Sequence, residues 1–180
     1  MKGRLLITAL VALFTLTGVA LAHDVNRIKG TPGNDTITGT DGPDAIAALA
    51  GDDTVIALAG NDRVWAGAGN DTVEGGAGDD MLRGGYGNDL LRGRPGDDVV
   101  EGGEGDDVVW VGRGADREFG GPGNDKMHAL ANDRQLDFID CGAGDHDVVW
   151  LNANEQDQAV NCEVVKTVTV TPAQAAEDDN

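Results

Sequence analysis

One apolar side chain recurs every nine residues along most of the chain: Ile37, Ile46, Val55, Val64, Val73, Leu82, Leu91, Val100, Val109 and Met127, with Glu118 alone breaking the column. Two residues before each of these positions stands an Asp: Asp35, Asp44, Asp53, Asp62, Asp71, Asp80, Asp89, Asp98, Asp107, Asp116 and Asp125. Two residues before each Asp stands a Gly: Gly33, Gly42, Gly51, Gly60, Gly69, Gly78, Gly87, Gly96, Gly105, Gly114 and Gly123. Eleven units x-x-x-G-x-D-x-U-x, with U apolar, therefore run in phase from Gly30 to His128. Six positions of each unit are turn-formers and three are strand-like. A triplet such as Thr54-Val55-Ile56 turns its central residue to one side and its neighbours to the other. Glycine permits the positive φ and close backbone approach that the turns need. The pattern predicts three-residue strands around a thin column of Ile, Val and Leu. No unit could bury that column alone, so the units must stack.

The segment from Gly75 to Arg83 is a complete copy of G-G-x-G-x-D-x-U-x. In this the chain resembles the RTX-type (hemolysin-type) nonapeptide-repeat family. The resemblance implies an all-β fold: a right-handed parallel β-roll (β-helix solenoid) of about eleven repeats. It also implies two units per coil, with equivalent residues eighteen apart and about five and a half coils. The implied ligand is Ca²⁺, several ions in all. The Asp column would be joined by backbone carbonyls of the early loop positions, among them Gly33, Gly51, Gly60, Gly69, Gly78, Gly87, Gly96, Gly105 and Gly123.

Electrostatics supports that expectation. Stacking puts Asp35, Asp53, Asp71, Asp89, Asp107 and Asp125 on one edge, and Asp44, Asp62, Asp80, Asp98 and Asp116 on the other. Two such charges about 5 Å apart repel by roughly 3 kcal/mol at an effective dielectric near 20. A ladder of them needs neutralising, and Ca²⁺ tolerates an irregular, carbonyl-rich oxygen shell better than Mg²⁺ does. Turn formation alone would accept Asn as readily as Asp. The neighbouring column is indeed mixed, running Asn34, Pro43, Asp52, Asn61, Asn70, Asp79, Asn88, Asp97, Asp106, Ala115 and Asn124.

Some positions depart from the repeat. Ala48-Leu49 and Ala57-Leu58 replace the opening Gly pair, and Arg94 replaces a second Gly. The unit from Val111 to Phe119 is the most altered, and Phe119 is expected to fill the space at Glu118 after a local shift. Glu74 with Arg92, and Arg83 with Glu101, are expected as charge pairs on neighbouring coils. Trp65, Trp110 and Phe119 fall in an outward column. They either mark a carbohydrate or partner surface or pack against a terminal segment. After His128 the phase slips by three residues. It resumes at Asp137-Phe138-Ile139, followed by a degenerate copy in which His146 takes the ligand place.

Residues 1–22 read as a secretory signal peptide. Lys2 and Arg4 form a basic start, Leu5 to Ala20 an apolar stretch, and Ala20-Leu21-Ala22 a cleavage site. The expected layout is then a lead-in at 23–29, the calcium-binding roll at 30–128, a degenerate repeat and C-terminal cap at 129–170, and a disordered tail at 171–180. The strand-like segments Val148–Leu151 and Val164–Val170 are expected to close the open end. No later segment could span a membrane, so the expected location is secreted, extracellular or at the cell surface. In an exported chain Cys141 and Cys162 are expected to form a disulfide. Two Cys with no nearby His make a poor zinc site.

The formal charge is −19. Such a surface repels nucleic acid and anionic lipid. Without cations the repulsion and the chain entropy would outweigh so thin a core. Enzyme chemistry finds no support. The chain has no serine, its three His lie far apart, and no Gly-rich loop ends in G-K-[ST]. Two functions remain. One is a secreted Ca²⁺-binding protein with a structural or surface role. The other is an extracellular module that binds carbohydrate, ice or a protein surface through its outward faces, for which Thr36, Thr54 and Thr72 offer a short row.

Overall fold

The computed structural model describes residues 6–7 and 25–171. Its strands lie in two parallel sheets. The first holds, in spatial order, β1 (Leu6–Ile7), β3 (Thr36–Thr38), β5 (Thr54–Ala59), β7 (Thr72–Ala77), β9 (Leu90–Arg92), β11 (Val108–Trp110), β13 (Lys126–Ala129), β15 (Val148–Asn152) and β17 (Val164–Val168). The second holds β2 (Asn26–Lys29), β4 (Asp44–Ala50), β6 (Arg63–Ala68), β8 (Met81–Tyr86), β10 (Val99–Glu104), β12 (Arg117–Pro122), β14 (Phe138–Ala143) and β16 (Gln158–Val160). Odd and even strands alternate between sheets, so the chain winds as an all-β parallel solenoid of about eight turns. No helix occurs among the described residues. There are more turns than the eleven regular units require, because residues 26–29 and 138–168 also form rungs. The C-terminal cap is thus itself built of rungs, β14 to β17.

The register confirms the coil length. Thr36 lies beside Thr54, Thr54 beside Thr72, and Thr72 beside Leu90. Near the C-terminus the same alignment survives longer loops: Glu118 pairs with Ile139, and Met127 with Val149.

The strands are longer than three residues. In β6 and β8 six residues alternate between inside and outside until the turn, taking in the opening pair of the next unit. Each such strand therefore sends two side chains inward. One is the expected apolar residue. The other is the first residue of the next unit: Ala48, Ala57, Ala66, Val111, Ala129 and Cys141 are buried there. The small size of this second column, mostly Ala or Gly, lets the two sheets approach. Cys141 uses the same inward position to reach Cys162, and the two are joined in a disulfide.

Glycine is obligatory at the turn. Gly78 has a φ of 127°, and a Cβ added there would lie 2.1 Å from the carbonyl oxygen of Gly60 on the preceding coil. At the second position of the unit Leu49, Leu58 and Arg94 adopt φ of 90°, 87° and 83°, where the regular units carry Gly. Those three residues hold a backbone conformation that costs a side-chain-bearing residue on the order of 1–3 kcal/mol.

On the outer faces, Arg83 and Glu101 form the expected ion pair at 2.6 Å. Glu74 instead takes Arg94 as its partner, at 3.2 Å. Trp110, His128 and Trp150 stack face to face across three rungs, with centroid separations of 3.8 and 4.4 Å. Lys166 lies over the outer face of Trp150 at 4.4 Å. The stack therefore runs on to the terminal strand β17 through Lys166. Trp65 stays 40% exposed on its own. Phe119 keeps its outward place beside Phe138, and Glu118 itself occupies the core position, fully buried. No local shift brings Phe119 inside, since the strand alternation of β12 runs on unbroken.

The expected signal peptide lies outside the described residues except for Leu6–Ile7, which pair with Thr36–Ile37. The tail beyond Thr171 lies outside them as well.

Candidate metal centre

Each Asp of the repeat sits at the turn between two strands, just before the strand that carries its apolar partner. Its side chain folds back under the loop and is buried, from Asp35 through Asp125. One oxygen of each has a defined task. The backbone N–H of Asp53 donates to Oδ1 of Asp71 at 2.8 Å, that of Asp71 to Asp89, and that of Asp89 to Asp107. The other edge repeats this from Asp44 through Asp62, Asp80, Asp98 and Asp116. Two hydrogen-bonded ladders thus run the length of the solenoid.

The ladders extend past the regular units. Asp116 N–H donates to Asp137, and Asp137 N–H to Asp157. Asp125 N–H donates to Asp147, and Asp147 N–H to Glu163. At the start, Asn26 donates its side-chain amide to Asp44. Asp147, not His146, takes the ladder place, and His146 is exposed. The turn before Asp147 holds one residue more than a regular turn, which moves His146 out. The signal for these later members was the triplet Asp-x-apolar: Asp137-Phe138-Ile139, Asp147-Val148-Val149 and Asp157-Gln158-Ala159. It persists after the nine-residue phase is lost.

The second carboxylate oxygen is the informative one. Oδ2 of Asp53, Asp62, Asp71, Asp80, Asp89, Asp98, Asp107, Asp116, Asp125, Asp147 and Asp157 is buried with no hydrogen-bond partner. A buried polar atom with no partner costs about 1–3 kcal/mol, and more when charged. An Asn would supply the same Oδ1 acceptor to the ladder, so the ladder does not explain why this column is Asp. The outer column makes the contrast. There Asp52 N–H donates to Oδ1 of Asn34, and Asn70 N–H donates to Oδ1 of Asp52. These groups face solvent, and either residue serves.

The first two units differ. Oδ2 of Asp35 accepts from Thr31 N–H at 2.5 Å and from the Thr31 hydroxyl at 3.0 Å. Asp44 is held in the same way by Thr40. Both oxygens of these two Asp residues are therefore already satisfied by protein.

Burial pushes the interior carboxyls upward, and their neighbours on the ladder add to it. Asp98 rises to about 9, with Asp116 and Asp80 contributing after burial. Asp80, Asp89, Asp107 and Asp116 rise to about 7. Asp53, Asp62 and Asp125 rise to about 6. The loops therefore hold negative charge at a cost, and a cation would remove it.

The loops fit a cation. A Cβ placed on the first residue of an interior unit would meet an orphaned oxygen: at Gly75 it would lie 2.4 Å from Asp80 Oδ2, and at Gly93 2.3 Å from Asp98 Oδ2. Glycine at these places leaves room beside the carboxylate. Among the described residues no three His, Cys, Asp or Glu side chains gather into a metal-binding group. An ion here must draw on backbone carbonyls as well as carboxylate. Ca²⁺ accepts that donor set, whereas a structural zinc site needs four N or S ligands.

The family model of the RTX calcium-binding nonapeptide repeat, which spans four copies of the repeat, matches residues 24–55, 47–82 and 83–118. The chain belongs to this family. Its solenoid is therefore an RTX calcium-binding β-roll, and the orphaned oxygens of Asp53 through Asp116 lie within the matched repeats. The match stops at residue 118, whereas the RTX ladder continues through Asp137, Asp147 and Asp157. No curated protein matches the chain.

Proposed function

We propose that this RTX roll is an exported, non-enzymatic structural protein, whose interior loops bind Ca²⁺ and whose fold is completed by that binding. The observation that carries the reading is the row of buried Asp Oδ2 atoms without a partner. The residues that would hold the ions are Asp53, Asp62, Asp71, Asp80, Asp89, Asp98, Asp107 and Asp125, with carbonyls of the loop glycines beside them. The bound ion would supply positive charge and a Lewis acid to take the lone pairs of oxygens that no protein donor reaches. The chain supplies the spacing: each interior Asp stands between two coils, so ions in neighbouring loops share it. Asp35 and Asp44 serve as N-terminal ends of the ladders, held by Thr31 and Thr40.

Export is supported by the basic and apolar start of the chain and by the Cys141–Cys162 disulfide, since disulfides persist in oxidising compartments. No helix among the described residues is long and apolar enough to cross a membrane. Extracellular modules bind Ca²⁺ at roughly 10⁻⁴–10⁻³ M, which suits folding after export. A recognition role for the outward faces has less behind it. The Thr row ends after Thr72, and Trp110 spends a ring face on His128.

The test is a calcium titration of the full chain at neutral pH, followed by circular dichroism and calorimetry. Strand signal should rise with Ca²⁺ and fall on adding a chelator. A spectrum indifferent to both would sink the proposal.

A further inference from the structure

Among the described residues β17 and β16 end their sheets, each bonded on one side only, to β15 and β14. Register sets Val165 beside Val149, in the inward column. Val149 is 0% exposed, whereas Val165 is 53% exposed, and Val160, Val164 and Val168 are exposed beside it. The core column therefore runs out into solvent at this end. An apolar strand with a free edge is a template for a further strand. The opposite end supplies one. There β2 ends the second sheet, with Ile28 as its inward residue. Its flanking Arg27 and Lys29 are exposed, while the last rung carries Glu155, Asp157 and Glu163 against Lys166. The two ends are thus opposite in sign, on a chain whose formal charge is −19.

The winding order fits as well. After β17 in the first sheet, the alternation calls for a strand in the second sheet and then one in the first. β2 and β3 come in that order. We infer that the processed chain stacks head to tail, with β16 and β17 of one copy against β2 and β3 of a second copy. Ile28 then follows Ala159, and Ile37 follows Val165, in their inward columns. Asn26 takes the ladder place after Asp157. Its side-chain N–H donates to Asp44, and its side-chain oxygen is the group to accept from Asp157 N–H. Residues 172–180 suit this end less well, since Glu177, Asp178 and Asp179 repeat the sign of Asp157 and Glu163. Leu6–Ile7 of β1 pair with Thr36–Ile37, on the edge of β3 that β17 would take. Cleavage after Ala22 removes β1, so the edge opens only on processing. A head-to-tail contact leaves one end free on each copy, and further copies add there.

This inference rests on the export reading above, and the experiment separates the two. Sedimentation velocity in saturating Ca²⁺, over a wide range of protein concentration, is run on the full chain and on the processed chain that begins at His23. Circular dichroism follows the strand signal of each. Two variants of the processed chain are Val165→Lys and the pair Arg27→Glu with Lys29→Glu. All three positions are exposed, so the fold of a single copy should stand. The processed wild type should grow past the dimer as concentration rises, while the full chain stays a monomer. Each variant should weaken association about tenfold or more, as like or unpaired charges at a contact do, with its strand signal unchanged. An equimolar mixture of the two variants should stop at the dimer, since each keeps one intact end. A processed wild type that stays a monomer with its strand signal intact would overturn the inference and leave the export and calcium readings standing. Association that is lost in Val165→Lys but not in the charge-reversed pair would overturn it too, because like ends would then be meeting. So would a full chain that associates as readily as the processed one. A processed chain with no calcium-dependent strand signal would overturn both the inference and the export reading.

Discussion

The middle of the roll and its C-terminal turns solve the same stacking problem with different means. From Asp53 to Asp107 every ladder bond joins residues eighteen apart. Beyond Asp116 the steps become 21, 22, 20 and 16 residues. The ladder therefore outlasts the period. The ladder place is held by Asp through the roll and by Asn26 and Glu163 at its two ends; the length of the preceding loop can vary, because the loop faces outward. The middle relies on glycine-lined loops with orphaned oxygens. The C-terminal turns add a disulfide, the Trp110–His128–Trp150 stack and a buried Glu. Covalent and aromatic links take over where the glycine cradle lapses.

The largest expected effect is on the middle and comes from pH without calcium. Folding raises these carboxyls above their unfolded values, so the folded state holds more protons. The stability this gives is fully present below about pH 4, the unfolded carboxyl range. It is lost as pH rises through about 6 for Asp53 and Asp62, about 7 for Asp80 and Asp89, and about 9 for Asp98. Chelated protein should thus melt at higher temperature at pH 4 than at pH 8. Saturating Ca²⁺ should reverse the order, since it binds the deprotonated form. Melting curves with the same pH slope in both conditions would contradict this.

Next in size is the staple. Replacing both Cys141 and Cys162 by Ala should cost roughly 3 kcal/mol, from the loop of about twenty residues that it closes. Ala suits the inward position, as Ala48 and Ala66 show. Hydrogen exchange should locate the loss in β14 to β17 and leave β5 to β10 protected. Uniform loss across the roll would mean that the two regions are not separable.

The two kinds of Asp can be compared directly. Asp98→Asn keeps the Oδ1 acceptor used by Asp80 N–H but replaces the ionisable Oδ2 with a neutral amide. At pH 8 it should stabilise the chelated protein, yet destabilise the calcium-loaded one by about 2 kcal/mol. Asp35→Asn loses the bonds from Thr31 and should cost about 1 kcal/mol in both conditions, with no change of sign. Denaturant titrations of the two variants with and without Ca²⁺ would show the contrast or its absence.

The smallest effect concerns backbone strain in the middle. Leu58 holds a φ of 87° with its side chain 39% exposed. Leu58→Gly should raise stability by about 1 kcal/mol, read as a higher melting temperature. A fall would show that the contacts of Leu58 outweigh its conformation.

The nine-residue period was enough to predict that the units stack and that Asp53, Asp80 and Asp98 lie at the loops, while the parallel roll and the eighteen-residue register came from the family resemblance that the period revealed. Steric and electrostatic demands act locally and repeat identically, so they leave a mark at fixed spacing. Tertiary structure decided what depends on atoms far apart in the chain. It placed Ala48 and Cys141 in a second inward column, because only the facing sheet shows which side of a glycine-rich strand is inside. It gave Asp147 the place that spacing assigned to His146, because a turn absorbs an added residue invisibly to any periodic count. It put Glu118 rather than Phe119 in the core, because strand alternation continues whatever the side chain costs. And it separated the two oxygens of each Asp. One bonds the neighbouring coil and the other, from Asp53 through Asp125, meets no protein donor, a distinction that only three-dimensional packing creates.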